Sequence, residues 1–171
     1  DCGIGGIILN GGDKTNIIPA GNYVENCDIY DFAQLQETYA PGISLNGVGN
    51  VVKNCEIHSA PQAAILFNGV DNVMEYNSIH DVCLNAGDMG AIYTGRHLDD
   101  HDNIIRFNHF YGIGNDLNAL YPADGVFTDD GSCDLIVYGN IFGINPASSD
   151  GVKNHGGMNN RFYHNVFLDT E

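Results

Sequence analysis

One eight-residue phrase recurs six times along the chain and limits the fold more than any other feature. The copies are "NYVENCDI" (22–29), "NVVKNCEI" (50–57), "NVMEYNSI" (72–79), "NIIRFNHF" (103–110), "LIVYGNIF" (135–142) and "NRFYHNVF" (160–167). The sixth position holds Cys27, Cys55, Asn77, Asn108, Asn140 and Asn165. The eighth holds Ile29, Ile57, Ile79, Phe110, Phe142 and Phe167. Successive sixth positions stand 28, 22, 31, 32 and 25 residues apart. A unit of about 22 residues with extra residues looped out is the spacing of a solenoid coil rather than of a sandwich strand.

A second apolar burst precedes each phrase: "GIILNG" (6–11), "GISLNG" (42–47), "AILFNG" (64–69), "GAIYTG" (90–95), "GVFTDD" (125–130) and "GVKNHG" (151–156). Each coil thus carries at least two short β-branched strands joined by glycine or asparagine turns. Equivalent strands of successive coils stack into parallel sheets about 4.8 Å apart, with right-handed connections. The expected fold class is all-β, a right-handed parallel β-helix of about six coils, forming one domain over residues 1–171. The chain opens and stops within the repeat pattern, so the expectation is a piece of a longer solenoid whose other coils lie in the parent chain.

The sixth-position column has a direct physical meaning. Stacked asparagines hydrogen-bond amide to amide along the axis, which satisfies buried polar groups that otherwise cost a few kcal/mol each. Cys27 and Cys55 occupy the same column as small, burial-tolerant fillers. They are expected as packed free thiols. The alternative is a bridge between neighbouring coils, because stacked Cα atoms about 5 Å apart lie within disulfide range.

Charge and composition exclude several roles. Six lysines and arginines face 22 acids, a net charge of −16. Nucleic acid is not an expected partner, because its phosphates require cations. A strongly anionic polysaccharide is disfavoured for the same reason unless metal ions intervene. No apolar run approaches the roughly 18 residues of a membrane span, so no membrane partner is expected. None of the five cysteines forms a CxxC pair, so zinc is not expected. The segment "RHLDDHDN" (96–103) offers Asp99, Asp100 and Asp102 to a hard cation such as calcium. Its spacing is not that of an EF-hand; a solvated loop is preferred, and no metal ligand is assigned.

Period-two alternation sets side-chain directions in the second burst. Ile43, Leu45, Ile65, Phe67, Ala91, Tyr93, Val126 and Thr128 are expected to point inward. Ser44, Asn46, Leu66, Asn68, Ile92, Thr94, Phe127, Asp129, Lys153 and His155 are expected outward. The outer column then reads Asn10, Asn46, Asn68, Thr94, Asp129, His155. Asp130 falls where other coils have Gly47, Gly69, Gly95 and Gly156, and there it orients its neighbour or caps turn amides. An elongated polar face with apolar residues between suits an extended carbohydrate: amides and carboxylates bind hydroxyls, and apolar side chains meet the sugar ring.

The succession "YAPGISLNGVGN", "AAILFNG", "EYNSIHDVC", "GDMGAIYTGR", "VFTDDG", "VYGNIF" and "NHGG" resembles a group of bacterial right-handed β-helix repeat proteins. Some of these are β-helix glycoside hydrolases with fucosidase and xylanase activity. The resemblance covers nearly the whole chain. It implies a secreted protein, extracellular or periplasmic, that acts on a polysaccharide or oligosaccharide. It also implies a catalytic aspartate pair, which falls on Asp88 and Asp129.

Glycoside hydrolysis requires two carboxyl groups about 5 Å apart with a covalent intermediate, or about 6.5–9.5 Å apart with an intervening water. In a straight strand Asp88 would lie about 20 Å from the residue stacked on Asp129, so that pair needs a sharp bend at 87–90. Asp130 and the stacked pair Asp124 and Asp150 are the rival partners. Substrate contacts are expected from Thr94, Arg96, His97, Phe127, Lys153 and His155, with His155 a secondary candidate for general base. The insertion at 112–125 is expected to wall the cleft. Two other functions fit the same surface: a polysaccharide lyase, disfavoured by the few basic residues on the face (Lys153 and Arg96), and a non-catalytic glycan-binding or structural β-helix.

Overall fold

The computed structural model describes residues 2–114, 121–143 and 150–168. Among them the chain runs through six coils of three strands each. The first two coils are β1 (Ile7–Gly11), β2 (Tyr23–Glu25) and β3 (Asp28–Tyr30), then β4 (Ile43–Val48), β5 (Val51–Lys53) and β6 (Glu56–His58). The middle two are β7 (Ile65–Val70), β8 (Val73–Glu75) and β9 (Ser78–Val82), then β10 (Met89–Thr94), β11 (Ile104–Arg106) and β12 (His109–Ile113). The last two are β13 (Ala123–Thr128), β14 (Ile136–Tyr138) and β15 (Ile141–Gly143), then β16 (Val152–Asn154), β17 (Arg161–Tyr163) and β18 (Val166–Phe167). Every third strand pairs in parallel, giving three six-stranded sheets: β1-β4-β7-β10-β13-β16, β2-β5-β8-β11-β14-β17 and β3-β6-β9-β12-β15-β18. The expected all-β parallel solenoid of six coils is the observed one. No helix among the described residues is long and apolar enough to cross a membrane.

The repeated phrase turns out to be two strands rather than one. Its fifth position is the corner between them and always has a left-handed backbone: Asn26, Asn54, Tyr76, Phe107, Gly139 and His164 have φ between 52° and 66°. Tyrosine, phenylalanine and histidine there forgo about 1–2 kcal/mol relative to glycine. The ladder one residue later supports this corner. Asn77, Asn108 and Asn140 each donate Nδ2–H to the Oδ1 of the next asparagine at 3.0–3.1 Å, ending on Asn165. The same oxygen accepts the backbone N–H of the preceding coil, at 2.9 Å for Asn77 and Asn108. Cys55 N–H likewise donates to Asn77 Oδ1. Cys27 and Cys55 are free thiols. A second ladder, Asn22–Asn50–Asn72–Asn103, runs along the first position of the same phrase.

The core lies between the three sheets. The column Ile43–Ile65–Ile92–Val126 faces Val52–Met74–Ile105–Val137 and Ile57–Ile79–Phe110–Phe142, all essentially solvent-free. Each such side chain contributes about 1.5–3 kcal/mol on burial. Phe110, Phe142 and Phe167 stack ring on ring at 4.7 and 5.1 Å. Glycine is obligatory at positions 47 and 69, where a Cβ would sit 1.9 Å from the carbonyl oxygen of the glycine one coil earlier.

One register differs from the sequence reading. Ile92, not Ala91, pairs with Ile65, and Tyr93 pairs with Leu66. A slip of one residue exchanges the two faces of a strand. Ile92 and Thr94 therefore face inward, and Tyr93 faces outward. Matching glycine to glycine misaligned this strand; a continuous β-branched inner column fixes it. The 96–103 loop also differs from the solvated segment expected. Asp100 is buried, accepts Gly69 N–H at 2.7 Å and pairs with Lys14 Nζ at 3.2 Å, while Asp99 takes the same ammonium at 3.1 Å. Asp102 turns to His101, so the three acids do not converge on one point.

Candidate active-site cleft

The first sheet has an open half and a covered half on its outer side. In β1, β4 and β7 the outward residues are at least partly exposed, whereas every residue of β10 and β13 is buried. The covered half carries the outward column Tyr93–Phe127–Lys153, in register. Phe127 meets Tyr93 edge-on at 5.5 Å, and Lys153 Nζ sits 4.3 Å above its ring. Phe127 is outward, as expected, but the lysine caps its face, so it forms a floor rather than a bare sugar platform.

At the C-terminal end of β13 lies a dense polar cluster. Asp129 Oδ1 faces His155 Nδ1 at 3.0 Å and accepts the N–H of Asp130 at 2.9 Å. Its Oδ2 accepts the Tyr93 hydroxyl at 2.8 Å and has Arg96 Nη2 at 3.5 Å. Burial works against the Asp129 anion. The hydrogen bonds from His155, Tyr93 and the Asp130 amide, with the Arg96 charge, outweigh it and hold the carboxyl below its usual range. Burial and that same bond to Asp129 push the Tyr93 phenol far up, so it stays a donor. Asp130 is 62% exposed and His155 65%. One oxygen each of Asp129 and Asp130 and one nitrogen of His155 lie within 4.8 Å of one another, the one group among the described residues that could hold a metal ion.

Arg96 takes the turn position held by Gly69 one coil earlier and is level with Asp130, whose carbonyl accepts its N–H at 2.7 Å. Its φ is 67°, left-handed for a non-glycine residue. Such strain costs on the order of 1–2 kcal/mol and gathers at functional sites.

At the N-terminal end of the same strands stands a second, looser cluster. Asp88 Oδ1 and Asp124 Oδ2 approach Lys153 Nζ at 3.7 and 3.8 Å. Asp124 is 1% exposed; its Oδ1 accepts Asp150 N–H at 2.9 Å, and its Oδ2 has no hydrogen-bond partner. Burial raises its pKa to about 6; the Asp150 amide and Lys153 offset part of this, and the charges of Asp150 and Asp88 add to it.

A family model described as a right handed beta helix region matches residues 1–167. The chain belongs to that family. No curated protein and no solved structure matches the chain. Within this right-handed β-helix, the residues singled out from sequence fall into three groups. Asp129, Asp130, His155 and Arg96 come together at one end of the cleft. Asp88 and Lys153 meet Asp124 at the other, so the Asp88–Asp129 pair implied by resemblance is not brought together. Thr94 is corrected: it points into the core, level with Thr128, and touches no cleft. His97 is exposed and acts electrostatically on Asp99 and Asp100. Of the expected wall at 112–125, residues 115–120 lie outside the described residues.

Two participants escaped the sequence reading. Period-two alternation from the glycines puts Tyr93 in the core, and only the observed register reveals it. The second asparagine ladder was visible in the first position of the phrase, which reads asparagine in five of six copies.

Proposed function

We propose that this right-handed β-helix is a glycoside hydrolase, secreted to act on a polysaccharide or oligosaccharide, with Asp129 and Asp130 as its carboxyl pair. Family membership fits a carbohydrate-active or a structural role. The observation that carries the enzymatic reading is the separation of the two carboxylates, within 4.8 Å and joined through His155. A separation under that bound suits the spacing of about 5 Å of enzymes that form a covalent glycosyl intermediate better than the about 6.5–9.5 Å of those that admit a water. Asp129, fixed by four polar neighbours and kept ionised, opposes the positive charge that develops at the anomeric carbon and bonds to it. Asp130, exposed and one residue away, gives a proton to the leaving oxygen and later takes one from water. His155 and Arg96 hold both carboxylates in place.

A second reading rests on one specific contact. Asp129 fixes Nδ1 of a largely exposed His155, which is the arrangement that orients an imidazole as a general base. With Arg96 and Lys153 on the same face, that base would serve β-elimination from a uronate. Incubation with neutral and uronic polysaccharides separates the two. Hydrolysis releases reducing ends without ultraviolet absorbance, and elimination releases unsaturated, absorbing ends. Absence of both from the full-length protein would leave a binding or structural role.

A further inference from the structure

Lys153 and Asp124 both hold unused hydrogen-bonding capacity. The ammonium hovers between Asp88 at 3.7 Å, Asp124 at 3.8 Å and the Phe127 ring at 4.3 Å. None of these distances to oxygen is a hydrogen bond. Asp124 Oδ2 is an orphan acceptor, more than nine-tenths buried and directed at that ammonium. A buried acceptor left unpaired costs about 1–3 kcal/mol. A ligand that supplies the missing donor recovers this.

We infer that Asp88, Asp124 and Lys153 form a subsite for the hydroxyl groups of a neutral sugar unit, apart from the Asp129–Asp130 pair. A hydroxyl is both donor and acceptor. Asp124 Oδ2 is closed to solvent beneath the ammonium, so Lys153 swings aside to admit the hydroxyl, which gives its hydrogen to Asp124 Oδ2 and accepts one from Lys153 Nζ. A neighbouring hydroxyl does the same between Lys153 and Asp88, which is 65% exposed and reachable. A uronate carboxylate is disfavoured, because two carboxylates flank the single ammonium. An Asp124 that binds its proton more readily than usual is consistent with a site that waits for a donor.

This subsite rests on the glycan reading and deepens it. Asp124 and Asp129 are five residues apart on an extended strand, about 16 Å. A disaccharide does not span that distance, and a longer oligosaccharide does. The inference is therefore one of chain-length selectivity for neutral chains.

The test uses the full-length chain on an array of neutral, N-acetylated and uronic oligosaccharides, followed by calorimetric titration of the retained series. Lys153→Met keeps the apolar stem over Phe127, and Asp124→Asn is nearly isosteric; thermal melting confirms folding of both. Each variant is expected to lose about tenfold or more in affinity for neutral oligosaccharides longer than a disaccharide. Disaccharide binding is expected to be unchanged. Equal losses at every length, no loss in either variant, preferential retention of uronic chains, or no retention of any glycan would overturn the inference. Its failure is distinguishable from failure of the hydrolase reading. Cleavage that needs Asp129 but ignores Lys153 sinks only the subsite. Length-selective binding without cleavage sinks only the hydrolase.

Discussion

Asp124, near the start of β13, and Asp129, just past its end, are both buried, and their environments are opposite. Asp129 has both oxygens supplied, by His155, the Asp130 amide, Tyr93 and Arg96. Asp124 has one oxygen satisfied and one orphaned. Burial alone would push both pKa values up. The hydrogen-bond supply decides which one rises and which one falls. The difference teaches that burial does not set the state of a carboxylate until its donors have been counted.

The comparison can be broken most directly at Asp129. Asp129→Asn keeps the shape but removes the charge that the hydrolase reading requires. Turnover is expected to fall by about 10²–10⁴-fold, measured as reducing ends released, with the fold retained by circular dichroism. Retained turnover would move the chemistry elsewhere in the cleft.

The next effect concerns stability against pH. An acid whose folded pKa lies above its unfolded 3.8 costs nothing below about pH 4, and its cost grows as the pH climbs through 6. Asp124 therefore destabilises the protein by up to about 3 kcal/mol at neutral pH. Asp124→Asn is expected to flatten the loss of stability between pH 4 and 7 in denaturant titrations. Asp129 runs the other way. Its lowered pKa supplies stability above the ordinary carboxylate range, and that stability is lost on acidification. Asp129→Asn should flatten the acid limb instead.

Tyr93→Phe removes one of the donors to Asp129. Activity is expected to drop about tenfold, and the acidic limb of the rate profile to move to higher pH, because the carboxylate then holds its proton more tightly. A Tyr93→Phe variant with an unmoved acidic limb would show that this hydroxyl does not tune Asp129.

Arg96→Gly is the smallest change. Relief of the left-handed backbone should raise stability by about 0.5–1 kcal/mol. The lost cation should cost activity. If both rose together, Arg96 would have no part in the cleft.

Most of the architecture was legible because it repeats. Six copies of one phrase fix the coil, the sixth-position asparagines fix the ladder, and the β-branched bursts fix the sheets. The site was legible only where the register was simple. Asp129, Lys153 and His155 fall on the outer side as expected, since β13 and β16 align without slippage. Thr94 and Tyr93 exchanged faces because glycines were matched where the packing of Ile92 beneath Ile65 governs the pairing. The contact of Asp88 with Lys153 was not legible, because the reach of Lys153 across Phe127 is a side-chain property that strand spacing does not contain.

The asparagine ladders all point one way; in the sixth-position ladder each amide hands one hydrogen to the asparagine of the coil that follows and the other to a carbonyl of the coil before. Rungs separated by 22 residues and by 32 meet with the same contacts. The rim is thereby uncoupled from the stack. Coil length can therefore vary at the rim with the ladder contacts kept. A new specificity can thus be grafted onto this scaffold one loop at a time, with the spine left as it is.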